Sequence, residues 1–543
     1  MGGWRCEVKR YLLCFAIYVG AQISFGCKDS GSGADAALST DGGTVAGDGS
    51  ARGDGTPASG DGALPGGDGA PPVTDGPRAD GARRDGTPPK DGGRRDAGLP
   101  RDGRPPDARR SDSGTVVPPV TRARIHLPQF SGAVLFEQTA IAWFGKVDSQ
   151  ANYADLRAGY NATELYLYVA AFDRRLWYDE TPGAADLAEW DAVTVLLRTQ
   201  AGDVSAPDPQ SYRFVCQLNH WQARTGYQAA YRGDAGAWKA ASTVFTTTSA
   251  WRGDAPNNDT DDRGWACTLR IPFASLGLGA APAAGTVWRA AVTLHDRDTT
   301  AGPALPVQKW PSASATDTTP SSWGELAFGL PAHSGGTPSG APITVRHKLN
   351  GQTVVDAAVG GGTTCGAGLS FFTQWGDKNY AASTELNVQN QSDIADWPCF
   401  SKVYLTFPLA SLPAGKKVAS AKLTLYQMGN AQPSDAKPSW VQVLVSSADF
   451  VEGSVSWNNA PLALTNTGGA TVGVLSAFPG WPGVARDLDV SWAASRAYER
   501  GEPLRLVLYS ADDAYHSGKY FVSSDTGDWN AQGRPTLTVQ MGN

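Results

Sequence analysis

Apolar residues that recur at every second position constrain the fold of this chain more than any other feature. In the stretch from Trp440 to Pro461, Val441, Val443 and Val445 occupy every second position. Successive side chains of a β-strand point to opposite faces, so this pattern predicts a half-buried strand. The Asn-Asn-Ala-Pro sequence that ends the stretch predicts a turn, because proline cannot donate a hydrogen bond within a sheet.

Similar short segments recur along the chain after residue 121. They are Glu164–Asp173, Asp191–Thr199, Ser211–Leu218, Trp265–Phe273, Trp288–Asp296, Lys402–Phe407 and Ala421–Gln427. Clusters of Gly, Pro, Asn and Asp separate the first five, with no long helical pattern between them. We therefore predict an all-β protein with two antiparallel, jelly-roll-like β-sandwich domains, at residues 121–330 and 343–543. A Gly-, Ser- and Pro-rich linker at residues 331–342 joins them.

The N-terminal segment, residues 1–26, has the pattern of an export signal. Basic residues precede an apolar run, Tyr11–Ile23, which is too short to span a bilayer comfortably. Small residues then lead to Cys27, and the segment resembles a bacterial lipoprotein signal. The resemblance implies that Cys27 is lipidated and that this lipid anchor holds an exported protein at the outer cell surface. Ordinary signal cleavage, which gives an extracellular protein without the lipid, stays open as the alternative.

Residues 28–120 contain no aromatic residue, and Asp-Gly recurs throughout them between prolines and arginines. Such a composition cannot bury enough apolar surface to offset the conformational entropy of folding. A calcium-binding β-roll is the alternative, but its nine-residue period is missing. We therefore predict a disordered tether with a root-mean-square span of about 50 to 60 Å.

Charge and cysteine content narrow the function classes. The formal net charge of -7 supplies no basic excess to neutralise phosphates, which argues against nucleic acid as a partner. Beyond the N-terminal region, two cysteines fall in each predicted domain, and an exported protein meets an oxidising environment. We therefore predict the disulfides Cys216–Cys267 and Cys365–Cys399. Buried free thiols are the alternative.

Six segments of the second predicted domain carry a family resemblance. They are Tyr380–Leu386, Lys402–Pro413, Val418–Tyr426, Glu452–Pro461, Gly518–Asp525 and Arg534–Val539. Together they resemble the DNRLRE family, which overlaps carbohydrate-binding module family 96. Such domains look like β-sandwiches appended to secreted polysaccharide-active proteins, and some bind acidic polysaccharides. The resemblance implies polysaccharide binding.

Four segments of the first predicted domain carry another resemblance. They are Glu164–Asp179, Glu189–Leu197, Arg263–Leu278 and Trp288–Asp298. Together they resemble the family 9 carbohydrate-binding modules and the wider group of DOMON-like sandwiches. Some DOMON relatives bind haem, but the absence of Met from this domain argues against an axial Met ligand. The resemblance therefore implies carbohydrate binding by this domain also.

Aromatic residues at predicted loops and strand ends of the first domain are candidates for sugar binding. They are Trp177, Tyr178, Trp190, Trp221, Trp251 and Trp310. Aromatic rings stack on the C–H face of a pyranose, although a Trp often fills a core instead. We expect Trp265 and Trp288, which begin strands, to belong to the core.

Alternation gives a second set of candidates in the second domain. In three strands the apolar residues face inward, and a base and a tyrosine face outward. These pairs are Lys402 with Tyr404, Lys422 with Tyr426, and Arg505 with Tyr509. If the three strands share a sheet, its outer face presents bases and tyrosines to an acidic polysaccharide. An exposed sheet face without a ligand is the alternative, because such faces often carry Lys, Arg and Tyr.

One acidic loop could bind Ca²⁺ through carboxylate oxygens. The candidates are Asp254, Asp259, Asp261 and Asp262. The loop lacks the central Gly and distal Glu of an EF-hand, so a solvated acidic loop is the alternative. We expect no other cofactor, since the sequence has no C-x-x-C or nearby His pair for zinc.

The sequence contains no recognisable catalytic motif: it lacks H-E-x-x-H, a nucleophile elbow and a Walker loop. We therefore predict a carbohydrate-binding protein without its own catalytic centre. A glycoside hydrolase with a carboxylate pair, for example Asp173 with Asp179, stays open as one alternative. A structural or adhesive surface protein is the other. The run His295–Asp298 could orient a ligand, but we favour its interpretation as a salt cluster at a strand end.

Overall fold

The strands expected from alternation are present in the computed structural model of the chain, which describes residues 122–219, 224–390, 394–512 and 516–543. All seven predicted segments form strands, with ends shifted by one or a few residues. The predicted signal, Cys27, the predicted tether and Trp221 lie outside the described residues.

The first part of the chain contributes thirteen strands. They are β1 (Arg124–Leu127), β2 (Ala140–Asp148), β3 (Ala151–Tyr160), β4 (Glu164–Phe172), β5 (Ala192–Arg198), β6 (Ser211–Gln217), β7 (Gln228–Asp234), β8 (Ala237–Ala240), β9 (Thr246–Arg252), β10 (Gly264–Pro272), β11 (Val287–His295), β12 (Gln308–Trp310) and β13 (Gly324–Phe328). The strands that follow are β14 (Ile343–Arg346), β15 (Val355–Gly360), β16 (Glu385–Val388), β17 (Ser401–Phe407), β18 (Lys417–Asn430), β19 (Ser439–Ser446), β20 (Ala463–Val472), β21 (Val484–Asp489), β22 (Leu504–Ser510), β23 (Lys519–Val522) and β24 (Thr536–Gly542).

The helices among the described residues are short. The α-helix α1 spans Ser491–Arg500. The 3-10 helices are Phe136–Gln138, Leu187–Glu189, Arg224–Tyr227, Phe273–Leu276, Pro320–Ser322, Leu349–Gly351, Gly362–Thr364, Trp375–Asp377, Ile394–Cys399, Pro433–Asp435 and Asp528–Gly533. No helix in this part of the chain has the length and hydropathy needed to cross a membrane.

The first sandwich has two layers. One is a sheet in the order β2-β3-β4-β10-β9, and the other is the β1-β13-β11-β5-β6-β7-β8 part of a larger sheet. Apolar side chains between these layers form one core, which contains Trp265 and Trp288 as predicted. The predicted disulfide Cys216–Cys267 joins β6 to β10 and so links the two layers.

The second sandwich is built in the same way. A sheet in the order β14-β24-β18-β23-β16, with β21 also paired to β18, packs on the β15-β17-β22-β19-β20 part of the larger sheet. Helix α1 contributes Ala493, Ala494 and Ala497 to this core; the strand patterns did not predict the helix. The predicted disulfide Cys365–Cys399 is also formed.

The larger sheet continues from one sandwich into the other. Strand β1 pairs in parallel with β13, and at Arg124 it also pairs in parallel with Thr465 of β20. Thirteen of the described strands therefore belong to one sheet. The sandwiches are thus joined by backbone pairing as well as by side-chain packing.

The two sandwiches also pack through faces that point away from their own cores. Trp143 and Tyr153 of β2 and β3 lie in one buried cluster with Tyr404 and Tyr509 of β17 and β22. The Gln442 amide crosses this contact, accepting a hydrogen bond from the Ile141 N–H at 3.2 Å and donating to the Thr139 carbonyl at 2.6 Å. The outer face of each sheet here is therefore interior to the protein.

This packing makes the predicted outer binding face of β17 and β22 wrong. The two strands are neighbours, as assumed, with Tyr404 opposite Val507. However, Lys402, Tyr404 and Tyr509 are buried under the first sandwich. Arg505, at the end of this face, is half-buried and forms an ion pair with Asp449. Alternation predicted which side chains share a face, but the first sandwich covers that face.

Candidate functional site

Three aromatic side chains are exposed next to one another on the second sandwich. Phe478, Trp481 and Trp529 have exposed fractions of 46, 48 and 69%. The ring centroids of Phe478 and Trp481 are 5.0 Å apart, and those of Trp481 and Trp529 are 5.1 Å apart. The other large apolar side chains exposed in the described part of the chain are aliphatic. We call Phe478, Trp481 and Trp529 the aromatic cluster.

Two segments on opposite sides of β18 place these rings. Trp481 precedes β21, and Trp529 lies in the 3-10 helix that precedes β24. Strands β21 and β24 pair with opposite edges of β18. The contact between the rings of Trp481 and Trp529 therefore crosses over β18 from one edge to the other. A Cβ atom on Gly483 would lie 2.6 Å from the Gln427 carbonyl oxygen, so glycine is required for the Trp481 segment to approach β18 this closely.

Charged groups lie beside Trp529. The carboxylate of Asp528 accepts a hydrogen bond from Arg534 at 2.5 Å and lies 3.1 Å from the ammonium of Lys348. Lys348 and Asp528 are both exposed. The aromatic cluster is therefore bordered by donors and acceptors that can bond to hydroxyl groups.

Of the predicted outward residues, those of β18 remain accessible. Lys422 is exposed and lies 2.9 Å from Asp487 of β21, to which Thr424 also donates a hydrogen bond. Tyr426 follows on the same face by alternation and is half-buried. Since β18 belongs to the other sheet, Lys422 and Tyr426 do not share a face with the other predicted bases and tyrosines.

The sequence analysis missed the aromatic cluster. Phe478 and Trp481 lie in the sequence Phe-Pro-Gly-Trp-Pro-Gly, and Trp529 follows Gly527 and Asp528. Aromatic residues between Gly and Pro stand in turns rather than in strand interiors, and this is the signal that could have identified them. Their proximity was not readable, because it depends on the pairing of β18.

The structure separates the aromatic residues predicted in the first sandwich. Trp310 lies in the core, and Trp177 is buried, with its backbone N–H donating to Asp191 at 2.6 Å. These two Trp residues cannot stack on a sugar, so their prediction as binding residues is wrong.

Three of the predicted aromatic residues are half-buried. Tyr178 is 5.9 Å from the ring of Tyr227, Trp251 packs against the first core, and the guanidinium of Arg297 lies 4.9 Å from the centre of the Trp190 ring. Trp190 therefore has one face occupied by a cation. No exposed aromatic cluster forms among the described residues of this sandwich.

A buried acidic group lies at the ends of β4 and β11. Asp173, Asp296 and Asp298 each place one carboxylate oxygen within 4.8 Å of the others. Burial, followed by the charge of Asp298, raises the pKa of Asp296 to about 8. Burial also raises the pKa of Asp173, and Asp191 and Asp296 raise it further. This group could hold a cation.

The interpretation of His295–Asp298 as a salt cluster is wrong, because Arg297 donates instead to a backbone carbonyl.

The predicted calcium loop has a different arrangement. Asp259 and Asp261 form ion pairs with Arg175 and Arg174. Asp262 accepts hydrogen bonds from two backbone N–H groups, one of them that of Asp254. Within the described residues, these four aspartates do not form a group that could share one ion. The structure therefore contradicts the prediction that this loop is a calcium site. The carboxylates of Asp259, Asp261 and Asp262 instead bond to arginine side chains and to backbone N–H groups.

A second acidic group lies in the second sandwich. Asp356, Glu452 and Asp525 also place one carboxylate oxygen each within 4.8 Å of the others. Burial is the main cause that raises the pKa of Asp356 to about 8, with smaller effects from Asp525 and Glu452. Burial likewise raises the pKa of Glu452 and of Asp525.

A family comparison matches the stretch that contains the aromatic cluster. The stretch also contains Glu452 and Asp525 of the second acidic group, but not Asp356. Residues 372–532 match carbohydrate-binding module family 96. This is the family that the motifs of the second domain resembled. No curated protein shows significant sequence similarity to the chain.

Two solved structures are similar to part of the chain. One is a family 9 carbohydrate-binding module from Caldicellulosiruptor kristjanssonii in complex with cellotriose, with 14% identity, 40% of this chain and 100% of that chain covered, and a TM-score of 0.28. The other is a family 9 module from the same organism in complex with glucose, with 16% identity, 39% and 98% covered, and a TM-score of 0.28. These TM-scores are too low to support a conclusion about the ligand of this chain.

Proposed function

We propose that the second sandwich binds polysaccharide on the aromatic cluster of Phe478, Trp481 and Trp529. The observation that carries the proposal is the mutual contact of three solvent-exposed aromatic rings. Exposed apolar patches on soluble proteins mark interaction sites. Aromatic rings bind sugars by stacking on their C–H faces, and the carbohydrate-binding family matched at residues 372–532 supports this ligand class.

The orientation of the rings favours one kind of polysaccharide. The planes of Phe478 and Trp481 are inclined by 70°, and those of Trp481 and Trp529 by 84°. A flat crystalline surface would need rings in one plane. Inclined rings instead suit a single soluble chain whose successive sugar units turn relative to one another. The proposed ligand is therefore a soluble polysaccharide chain.

We also propose that the protein works at the cell surface. Lipidation of Cys27 would hold it to a membrane, and the aromatic-free segment at residues 28–120 would act as a flexible tether. A binding domain on such a tether can capture polysaccharide away from the membrane. Export, the lipid anchor and a role in polysaccharide capture or breakdown rest on these sequence patterns.

Affinity electrophoresis tests the binding proposal. The full chain is run in gels that contain alginate, pectin or a neutral soluble glucan. A Trp481→Ala, Trp529→Ala variant should lose retardation in the gel that retards the wild type. Because both rings are exposed, the variant should melt within a few degrees of the wild type. Equal retardation of the wild type and this variant would overturn the proposal.

A matched control separates the two sandwiches. Trp190→Ala removes a half-buried Trp of the first sandwich that lies under Arg297. This variant should keep the retardation of the wild type. Loss of retardation in Trp190→Ala, with retention in the double variant, would move the site to the first sandwich.

Membrane partition tests the lipid anchor. When the complete gene is expressed in a bacterial host, the protein should partition into the detergent phase. A Cys27→Ser variant should partition into the aqueous phase. Aqueous partition of the wild type would contradict lipidation without affecting the binding proposal.

A further inference from the structure

Three acidic residues from separate segments meet at one edge of the second sandwich. Asp356 lies on β15, Glu452 lies between β19 and β20, and Asp525 follows β23. One carboxylate oxygen of each lies within 4.8 Å of the others. Two oxygens that each lie about 2.4 Å from one Ca²⁺ are separated by at most about 4.8 Å. The three oxygens are therefore close enough to share one ion.

A buried oxygen without a partner points to a ligand in this group. Asp356 is 1% exposed, and its Oδ2 accepts a hydrogen bond from the Ser524 N–H at 2.7 Å. Its Oδ1 is buried and has no hydrogen-bond partner. Asp356 lies on the same face of β15 as Ala358, which belongs to the second core. A carboxylate at the edge of an apolar core needs a compensating positive charge or a proton.

The nearest bases of the described chain are engaged elsewhere. His347 Nδ1 lies 2.9 Å from the Val354 carbonyl oxygen. Lys348 and Arg534 both pair with Asp528. No salt bridge within the described residues joins a base to Asp356, Glu452 or Asp525. The charges of His347, Arg534 and Lys348 lower the pKa of Asp525, but none of these bases forms an ion pair with the buried Asp356.

We propose that Asp356, Glu452 and Asp525 bind one Ca²⁺. All three donors are hard carboxylate oxygens, and no His or Cys joins the group, which favours Ca²⁺ over zinc. Glu452 is half-buried and Asp525 is exposed, so water can complete the six to eight ligands of Ca²⁺. The ion joins three segments that are distant in sequence and stabilises the folded state. This proposal does not depend on polysaccharide binding.

Calcium counting on the full chain tests the proposal. Protein stripped with a chelator is titrated calorimetrically with CaCl₂, and its melting temperature is measured with CaCl₂ and with EDTA. The wild type should bind Ca²⁺ and melt at a higher temperature in CaCl₂. Glu452→Gln and Asp525→Asn, both at accessible positions, should bind one Ca²⁺ fewer or bind it at least tenfold more weakly. Asp356→Asn should do the same where it folds.

The acidic group of the first sandwich provides the matched control. Asp296→Asn changes a buried carboxylate at that other group. In the Asp296→Asn background, Glu452→Gln should still remove one Ca²⁺ and still reduce the melting difference between CaCl₂ and EDTA. Unchanged Ca²⁺ number and affinity in both Glu452→Gln and Asp525→Asn would overturn the proposal, and so would a wild type that binds no Ca²⁺.

Discussion

The ammonium group of Lys402, in the second sandwich, lies 4.2 Å from the centre of the Trp143 ring in the first. The rings of Trp457, Tyr153 and Tyr509 surround the same ammonium at 3.5, 4.6 and 5.0 Å. Both sandwiches contribute rings to this cage. Burial lowers the pKa of Lys402 well below its ordinary value, and the charge of Asp155 opposes this. The contact between the sandwiches is therefore built around a buried lysine whose charged form is costly.

Replacing Lys402 by methionine should leave the stability unchanged or raise it. Methionine keeps the packing of the long side chain but removes the cost of burying a charge, so we expect a change between zero and a gain of about 2 kcal/mol. Lys402→Ala opens a cavity and should lose about 2 to 5 kcal/mol. Urea denaturation at pH 7 measures both. An equal loss in Lys402→Met and Lys402→Ala would mean that the ammonium itself holds the contact.

The pH dependence gives a second check on Lys402. Its pKa in the folded protein is lowered, so the wild type gains stability as the pH rises from that pKa toward the ordinary lysine value of about 10.4. The advantage of Lys402→Met should therefore shrink as the pH rises. Lys422→Met, at an exposed lysine, serves as the control and should change stability by less than about 0.5 kcal/mol.

His126 should make the protein less stable in acid. Burial lowers the pKa of His126 to about 4, with smaller effects from Gly329, Arg124 and Glu325. The unfolded chain binds this proton at about pH 6.5, so stability is present above that pH and is lost as the pH falls toward 4. The free energy of unfolding should fall by on the order of 3 kcal/mol, because each unit of difference in pKa between the folded and unfolded states corresponds to about 1.4 kcal/mol.

A His126→Phe variant measures this loss. Phenylalanine can keep the edge contact with Trp492, whose ring centroid is 6.2 Å away, but it cannot be protonated. Stability measured from pH 7 to 4 should therefore fall less steeply than in the wild type. His333→Phe, which changes a half-buried histidine instead of the buried His126, is the control. Parallel curves for the wild type and His126→Phe would contradict the prediction.

Lys422 should contribute weakly to binding if the polysaccharide is acidic. Its exposed ammonium already pairs with Asp487, and exposed ion pairs are worth less than about 1 kcal/mol. Lys422→Ala should therefore weaken retardation in an alginate gel by about two- to fivefold at low salt and by less when salt is added. Arg505→Ala, which removes a base paired with Asp449, should leave retardation unchanged. A larger loss of retardation in Arg505→Ala than in Lys422→Ala would refute this assignment.

The disulfide between the layers of the first sandwich should be a large stabilising element. Cys216 and Cys267 are 51 residues apart in sequence, and closing such a loop contributes about 4 kcal/mol in the chain-entropy account. The Cys216→Ala, Cys267→Ala variant should lose about this much in urea denaturation. A loss under about 1 kcal/mol would show that the bond adds little to the packing of Trp265 and its neighbours.

Alternation was enough to predict the strands because side-chain direction in a strand is a local property. Val403 and Leu405 lie in the second core, as their spacing requires, and Lys402 and Tyr404 point the other way. Helix α1 escaped this reasoning, because its buried face consists of alanines and serines, which carry little hydrophobic signal. Whether this segment forms a helix depends on the core against which those alanines pack.

The candidate site was much less predictable than the strands. The family resemblance predicted the ligand class, and the Gly-Pro context of Trp481 would have predicted a turn. Neither indicates that Trp529 lies 5.1 Å from Trp481, because 48 positions of chain separate them and β18 brings them together. The same is true of Asp356, Glu452 and Asp525, which the sequence offers only as isolated acidic residues.

The sequence by itself determined the two sandwiches, their cysteine pairs and the direction of each strand side chain, since these follow from local periodicity and from which domain holds each cysteine. Only the tertiary structure decided which outward faces meet water. Lys402 and Lys422 have the same pattern around them, yet the first is buried in an aromatic cage and the second is exposed. Exposure depends on what packs against a face, and here the first sandwich covers the face that carries Lys402 and leaves the face that carries Lys422 open.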